Sequence, residues 1–522
     1  MSNRFLHVRE NFCQLFPCQI GFCRRIFTVG TAARTKMAAA LGFGDNSLHV
    51  FEHPLEQKLT RRSFLRRGGS LGAALAGMSS AGGLWRAALA AGATIRQPDS
   101  LPDPKRPAGT PTAALPFDHV VVVMMENHSF DNLLGALAIS GQPQAKGLRF
   151  NAAGVALNSN PGPEGPVRSF PFPSTAQGPH VSQSWNATHE QIDGGKMDGF
   201  VASVHDVQPM GYWTAAVLPF AYSLARTFTL ANGWFCSAPC QTYPNRRFLM
   251  AGTAYGNIST DNESLKDPPP PNGTIWDRLE HYGISWRNYF TDLPSTGLYK
   301  SPVDNSRDKL VSIDQFYADA AAGALPGYSV VDPGFDNDES EENEADIQLG
   351  ESFVSRVVNA VMHGPEWSKS LLIWVYDEHG GYYDHVPPPR AIKPDDIPPD
   401  IHVPPDQPGG YDRYGFRVPA VIVSPYARRN YVSHAVHDHT SILKLVETKW
   451  NLPALTFRDA NADNLLDSLD FDHQAFRHPP RLPEPGRTAH PSSCTPGEPG
   501  PIPPPGAVVP VPRTTTTAAA RH

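Results

Sequence analysis

Short apolar runs alternate with amphipathic segments through the middle of the chain. Glu351 to His363 and Ser441 to Trp450 each place apolar side chains on one stripe, which predicts two helices. The predicted strands are rich in β-branched and aromatic residues, and they are Val120 to Met125, Trp286 to Phe290, Tyr328 to Val331, Leu371 to Tyr376 and Ala420 to Ser424. Several are too uniformly apolar to have a face in water. The alternation predicts an α/β fold with a largely parallel central sheet and helices on both faces.

Acid and amide side chains come immediately after two of these strands. Glu126 and Asn127 come after the first, and Asp377 and Glu378 come after the fourth. In α/β sheets the ligand crevice lies beyond the carboxyl ends of the strands, which is where both pairs fall. Carboxylate and amide oxygens are the ligands of hard cations. The pattern therefore predicts a metal site and makes hydrolytic metal chemistry the first hypothesis.

Three further clusters carry candidate chemistry. Thr242 precedes Pro244, which suits the first turn of a helix, so its hydroxyl would face unpaired amides; the alternative is that Thr242 only caps this helix. His437 to Ser441 begins the predicted helix that continues to Trp450. The third cluster contains His180, His189 and a glycine-rich turn. A single histidine is more often structural than catalytic, so these residues gain weight only beside the acidic strand ends.

The two ends of the chain differ from its middle. Arg61 and Arg62 precede a Gly- and Ala-rich apolar stretch, which resembles a twin-arginine export signal interrupted too often by Gly and Ser for a stable transmembrane anchor. We therefore divide the chain into residues 1–93 (extension and signal), 94–114 (linker), 115–478 (catalytic domain) and 479–522 (a Pro-rich disordered tail).

Composition narrows the class of protein. Hydrophobic residues make up 40% of the chain and aromatic residues 10%, as in globular proteins. A formal net charge of -7 gives no support for nucleic-acid binding, which depends on clustered basic residues. After the signal, Cys236 and Cys240 could form a disulfide or remain two buried thiols, and the spacing leaves both open.

Four segments together resemble a known family. They read ENHSFD from Glu126, TYPNR from Thr242, YDEHGGYYDHV from Tyr376 and DHTSI from Asp438. In this order and spacing they are similar to the motifs of the bacterial phospholipase C and acid phosphatase family of phosphoesterases. The resemblance spans about Leu115 to Asp472. It implies an alkaline-phosphatase-like fold, a metal-dependent site and the hydrolysis of phosphate esters.

The resemblance also implies roles for individual residues. Thr242 would be the nucleophile, and its oxygen would bind a divalent metal ion (calcium, magnesium, manganese, zinc or iron) together with Glu126, Asn127, Asp377 and Glu378. The histidines expected to neutralise the phosphoryl group or protonate the leaving oxygen are His180 or His189, His379 and His439. Two positions depart from the family pattern: His128 stands where Arg is usual, and Glu342 stands where many members carry His.

The expected function is that of an exported, periplasmic or secreted phosphoesterase. It would act like a phospholipase C on phospholipids through a phospho-threonine intermediate, after passage through the export machinery for folded proteins. The alternatives are an acid phosphatase acting on small soluble phosphomonoesters and a non-catalytic exported metal-binding protein. Thr242 argues against the last, because a metal scaffold needs no nucleophile at the start of a helix.

Overall fold

The computed structural model describes residues 95–299 and 306–486, which contain twelve strands and ten α-helices. The strands are β1 (His119–Met125), β2 (Ser159–Gly162), β3 (Gly165–Arg168), β4 (Phe170–Pro171), β5 (Gly211–Tyr212), β6 (Thr229–Ala231), β7 (Trp286–Phe290), β8 (Leu310–Ser312), β9 (Tyr328–Asp332), β10 (Ser370–Tyr376), β11 (Ala420–Val423) and β12 (Tyr431–Ser433). The helices are α1 (Phe130–Leu134), α2 (Trp185–Ile192), α3 (Phe200–Val204), α4 (Pro219–Thr227), α5 (Thr242–Ala251), α6 (Ile275–His281), α7 (Ile313–Ala322), α8 (Ile347–His363), α9 (His439–Trp450) and α10 (Phe457–Ala460).

Eight strands form the central sheet in the order β12-β6-β11-β10-β1-β9-β7-β8. All neighbours are parallel except at β11, which runs antiparallel to β10 and β6. Every residue of β9, β10 and β11 is buried, so both faces of the sheet centre are covered. The prediction of a largely parallel α/β sheet is confirmed, as are the five strands that the apolar runs predicted.

Two groups of helices cover this sheet. Helix α8 packs against α4, α7 and the central strands β1 and β10, and α5 packs against α6 and α9. The stripe predicted on α8 is buried through Phe353, Val357, Val358 and Val361, which places its apolar face on the sheet. The Asp346 carboxylate caps the start of this helix by accepting a hydrogen bond from Gln348 N at 2.9 Å.

The register of β1 and β10 decides where the site can form. The two strands pair in parallel from His119 opposite Ser370 to Met125 opposite Tyr376. The ladder continues one step further, because Asp377 N donates to Met125 O at 3.1 Å. Both acidic pairs therefore begin at the same level of the sheet, at its carboxyl edge.

The boundaries of the folded body differ from those predicted. The predicted linker is hydrogen-bonded to the body, since Asp99 N donates to Ala454 O at 2.9 Å and Thr112 N to Lys449 O at 2.6 Å. The start of the predicted tail is also attached, because Gly486 N donates to the Glu351 carboxylate at 2.8 Å. Polar backbone contacts of this kind leave no signal in hydrophobic periodicity.

Other predictions about the chain ends lie outside the described residues, among them the twin-arginine signal and most of the tail. Within the described ranges, no helix has both the length and the apolar character needed to cross a bilayer. Cys236 and Cys240 are both buried free thiols, which answers the question that their spacing left open.

Candidate active site

The acidic pairs lie on the two loops that follow β1 and β10, and these loops cross each other in close contact. One carboxylate oxygen of Asp377 accepts hydrogen bonds from Asn127 N at 3.3 Å and from Glu378 N at 2.7 Å. Asn127 has a φ of +72°, a left-handed conformation that asparagine tolerates better than most residues. Behind it, Gly380 has a φ of +63° and approaches the Asn127 backbone closely. The two predicted ligand pairs thus form one compact unit.

Thr242 lies at the start of α5. Gln241 is the capping residue and Thr242 is the first helical residue, so Thr242 is not merely a cap. The chain before it is held by the buried Asn245 amide, which accepts from Ala238 N at 3.0 Å and donates to Cys240 O at 2.8 Å. The positive end of the α5 dipole therefore lies beside the Thr242 hydroxyl in a fixed backbone.

One turn further along α5, Arg246 joins the helix to the sheet. Its guanidinium lies 3.0 Å from the Asp377 carboxylate, 3.4 Å from Glu126 and 3.4 Å from Asp332. Only 3% of the Arg246 side chain is exposed. Residues four apart share a helix face, so the contacts of Arg246 turn Thr242 toward the strand ends.

A cavity of about 280 Å³ opens at this point. It is lined by Thr242 and its helix neighbours, by the strand-end acid, and by residues of the surrounding loops: Glu126, Tyr243, Arg246, Thr260, Asn262, Leu293, Pro294, Ser295, Leu298, Phe335, Asp336 and Glu342. The structure therefore brings the predicted nucleophile and a predicted metal ligand to one wall. The volume suits a phosphate group and part of an attached alcohol better than a complete lipid.

The buried charges around the cavity are unbalanced. Burial raises the pKa of Glu126, Asp377 and Glu378, because each carboxylate has lost water, and neighbouring carboxylates raise the pKa of Glu126 and Glu378 further. Arg246 supplies one positive charge to them. In addition, Asn127 Oδ1 and Glu378 Oε1 are buried without a hydrogen-bond partner. Orphaned oxygens beside excess negative charge fit a hard divalent cation, which these residues could hold.

Two predicted histidines lie behind these acids. His379 Nε2 donates to Gln191 Oε1 at 2.8 Å, and its Nδ1 lies 3.2 Å from Glu378 Oε2. His439 Nε2 donates to the Asp377 carbonyl oxygen at 2.7 Å. Burial lowers the pKa of His379 to about 3 and that of His439 to about 4, so both rings are neutral.

The other two predicted histidines are separated. His180 Nδ1 lies 3.8 Å from Oε1 of Glu342, which lines the cavity, and both side chains are about half exposed. His189 instead bonds to Trp185 O at 2.7 Å and lines a different cavity with Asp193 and Asp198. His180, and not His189, therefore lies next to a residue that lines the cavity.

Sequence comparison assigns the family. The profile of the Phosphoesterase family matches residues 117–453, which include every residue of the candidate site described above. The chain belongs to the phosphoesterase family. Among curated proteins, it is 33% identical to "Non-specific phospholipase C1" of Arabidopsis thaliana, over 66% of this chain and 69% of the plant protein. It is 29% identical to "Phospholipase C B" of Mycobacterium tuberculosis, over 83% of this chain and 92% of that protein.

Similarity to solved structures is weaker. A protein of the alkaline phosphatase superfamily from Vibrio parahaemolyticus has 10% identity and a TM-score of 0.30, over 64% of this phosphoesterase and 78% of that chain. The lipoteichoic acid synthase LtaP from Listeria monocytogenes has 8% identity and a TM-score of 0.35, over 69% and 78% of the two chains. Scores this low say nothing about the site.

His379 and His439 lie apart from the residues that line the cavity. Neither imidazole is among the groups that line the cavity, and both are almost completely buried. In this phosphoesterase they contact the acids: His379 touches the Glu378 carboxylate and His439 holds the Asp377 backbone. Periodicity could not show this, because the strand-end loop turns the side chain after Glu378 away from the cavity.

Arg246 and Asp332 are functional candidates that sequence reasoning missed. Arg246 follows Thr242 by four residues on a predicted helix, so the helical period alone would have placed both on one face. Asp332 ends β9 as Asp377 follows β10, and it accepts hydrogen bonds from Ser295 N and from Asn288 Nδ2, both at 2.7 Å. It is therefore a third acid at the same edge of the sheet.

Two compact groups of acidic and histidine side chains lie elsewhere in the described ranges. The first contains Asp131, Asp384 and His385, and Arg417 already neutralises it with contacts of 2.9 Å to Asp384 and 3.2 Å to Asp131. The second contains His437, Asp463 and Asp467. The cavity acids form no group as compact, because they are arranged around the Arg246 guanidinium.

Proposed function

We propose that this phosphoesterase is an exported, metal-dependent enzyme of the phospholipase C type that cleaves phospholipids through Thr242. The observation that carries the proposal is the shared cavity wall of Thr242, Glu126 and Arg246 beside oxygens without partners. A nucleophile, a positive charge and a cation site are what phosphoryl transfer requires. The relatives named phospholipase C support the lipid substrate.

Glu126, Asn127, Asp377 and Glu378 would hold the metal ion together with the Thr242 oxygen. When bound, a divalent cation lowers the pKa of a hydroxyl and neutralises phosphate oxygens. Arg246 and the positive end of the α5 dipole add positive charge on the same wall of the cavity. Neutral His379 and His439 act as positioning residues, since each fixes one acid of the crossing.

In the first step, Thr242 Oγ1 attacks phosphorus and the bond from phosphorus to the glycerol oxygen breaks. Glu342 accepts the hydroxyl proton, and His180 donates a proton to the leaving oxygen; both side chains line or flank the cavity and are open to solvent. In the second step, water attacks the phospho-threonine, gives a proton to His180, and Thr242 recovers its proton from Glu342. The cycle returns each group to its starting state.

The decisive experiment compares Thr242→Ala with Thr260→Ala, a hydroxyl on the same cavity. With divalent metal present, phosphocholine release from phosphatidylcholine vesicles should fall about 10⁴-fold or more in Thr242→Ala, as when other nucleophiles are removed. It should change less than about tenfold in Thr260→Ala. Both variants should keep their melting temperature, and at saturating divalent ion Thr242→Ala should still bind metal through its four other proposed ligands. Equal loss in both variants would refute the role of Thr242.

The same assays separate the alternatives. Turnover of a soluble monoester such as p-nitrophenyl phosphate, without release of any phosphocholine, would show an acid phosphatase. A purified protein that binds metal but cleaves neither ester would be a non-catalytic metal-binding protein.

Export rests on the sequence at the start of the chain. Replacing Arg61 and Arg62 with Lys should keep the protein in the cytoplasm, as measured by cell fractionation, if the twin-arginine segment directs folded export. Unchanged delivery to the periplasm or medium would contradict this assignment.

A further inference from the structure

His437 and two aspartates form a cluster separate from the cavity. His437 follows β12, and Asp463 and Asp467 lie in the segment after α10. His437 Nδ1 is 3.3 Å from Asp463 Oδ1, and His437 Nε2 is 4.0 Å from Asp467 Oδ1. One potential ligand atom from each residue lies within 4.8 Å of the other two.

Hydrogen bonding leaves one nitrogen of the ring without a partner. Ser433 Oγ donates to Asp467 Oδ2 at 2.5 Å, so its lone pair is free to accept from His437 Nε2–H at 3.3 Å. His437 is 1% exposed, and its Nδ1 has no hydrogen-bond partner although it faces the Asp463 carboxylate. A buried ring nitrogen without a hydrogen-bond partner, held beside a partly exposed carboxylate, has the position that a metal ligand requires.

The spacing suits a metal ion. Two ligands bound tetrahedrally at 2.0–2.1 Å, as nitrogen and oxygen are on zinc, lie about 3.3 Å apart. The observed separation of Nδ1 and Asp463 Oδ1 is 3.3 Å. Side chains of Asp463 and Asp467 are 39% and 35% exposed, so a metal ion and its remaining water ligands can reach the buried imidazole.

We propose that His437, Asp463 and Asp467 form a second metal site, of the zinc class, that is distinct from the catalytic cavity. Histidine nitrogen with carboxylate oxygen favours zinc or a similar transition metal over calcium. Asp463 Oδ1 also accepts a hydrogen bond from Leu465 N at 2.8 Å, which orients the ligand.

A metal ion bound by these residues would link the start of α9, near His437, to the segment after α10 that carries Asp463 and Asp467. His437 N donates to Gly233 O at 3.0 Å, and the His437 carbonyl accepts from Phe235 N at 2.9 Å. Trp234, between those two residues, donates its indole N–H to His439 Nδ1 at 3.4 Å. A metal at His437 therefore stabilises the loop from which His439 contacts Asp377, a proposed ligand of the catalytic metal.

The test counts metal ions on the full chain in a background that lacks the cavity ligands, Asp377→Asn with Glu378→Gln. Metal-free protein is titrated with Zn²⁺ by equilibrium dialysis and with Co²⁺ by visible absorption. One site should remain, and Asp463→Asn or Asp467→Asn should weaken it by at least about 100-fold and remove the Co²⁺ band. This is expected because even indirect contacts to a metal ligand are worth about 10–100-fold in affinity.

The control is Asp472→Asn, an exposed acid on a nearby segment, which should bind like its parent. Circular dichroism confirms that each variant folds. Two results would overturn the proposal: no metal bound in the background protein, which would mean an ion pair only, or equal binding by Asp463→Asn, Asp467→Asn and the control. The readout is metal content and not turnover, so it stands whether or not Thr242 is the nucleophile.

Discussion

Gly380→Ala tests whether the crossing of the two acidic loops controls activity. Gly380 has a φ of +63°, and a Cβ added there would lie 2.0 Å from the Asn127 carbonyl oxygen. Gly283 offers a matched control, because its φ is +68° and an added Cβ would meet nothing within 4 Å. The two substitutions therefore impose the same backbone cost, and only one of them displaces a proposed metal ligand.

The two substitutions differ in their expected effects on stability and on activity. A left-handed alanine costs roughly 1–2 kcal/mol, and the stiffer unfolded chain returns about 0.4–1 kcal/mol. Gly283→Ala should thus lose about 1 kcal/mol of stability. In Gly380→Ala, ordinary contact at about 3.4 Å requires the loops to separate by more than about 1 Å, and a misplacement of that size at a reacting centre costs about 100-fold. The corresponding barrier is about 2.7 kcal/mol higher.

The assay measures kcat/KM for phosphatidylcholine and the free energy of unfolding in urea, for both variants and the parent protein. Metal content at saturating divalent ion is measured in parallel, since a displaced Asn127 should also weaken metal binding. If Gly380→Ala stays within about threefold of Gly283→Ala in kcat/KM, with both folded, the tight approach to Asn127 has no catalytic importance.

Three further predictions concern charge. Arg417→Met should destabilise the fold by about 3–5 kcal/mol in urea unfolding, because it leaves buried carboxylates unpaired, whereas Arg390→Met, at an exposed pair, should cost under about 1 kcal/mol; equal losses would contradict this. His180→Gln should lower kcat about 100-fold, while His189→Gln, in another cavity, should leave it unchanged. Burial raises the pKa of Glu351 to about 7 against 4.5 unfolded, so the stability it contributes is complete below about pH 4.5 and lost as pH rises to 7. Glu351→Gln should make the free energy of unfolding depend less on pH between about 4.5 and 7. An unchanged pH dependence in this variant would refute the prediction.

The fold could be predicted where burial alone decides it. The runs at β1 and β10 are apolar at nearly every position, and only a strand covered on both faces uses such a sequence. The short edge strand Leu310–Ser312 and the helix Pro219–Thr227 were not predicted. Both elements are short, at three and nine residues. The strand forms because β7 offers it an edge to pair with, and the helix packs on β6 and α8.

The candidate site likewise has residues whose position the sequence predicts and residues whose position it does not. Glu126, Asn127, Asp377 and Glu378 follow apolar strands directly, so their place at the carboxyl edge follows from the strand pattern. The histidines do not, because a ring a few residues beyond a strand can point into the cavity or behind it. His379 lies behind Glu378, and His189 lies beside another cavity.

The sequence by itself determined the α/β class, the family and the acids at the strand ends, because hydrophobic period and motif order are local properties of the chain. Only the tertiary structure decided that Arg246 stands among Glu126, Asp332 and Asp377, and that His437 meets Asp463 across the fold. The reason is physical: a charge becomes costly or useful according to which distant groups are buried with it, and no local pattern carries that information.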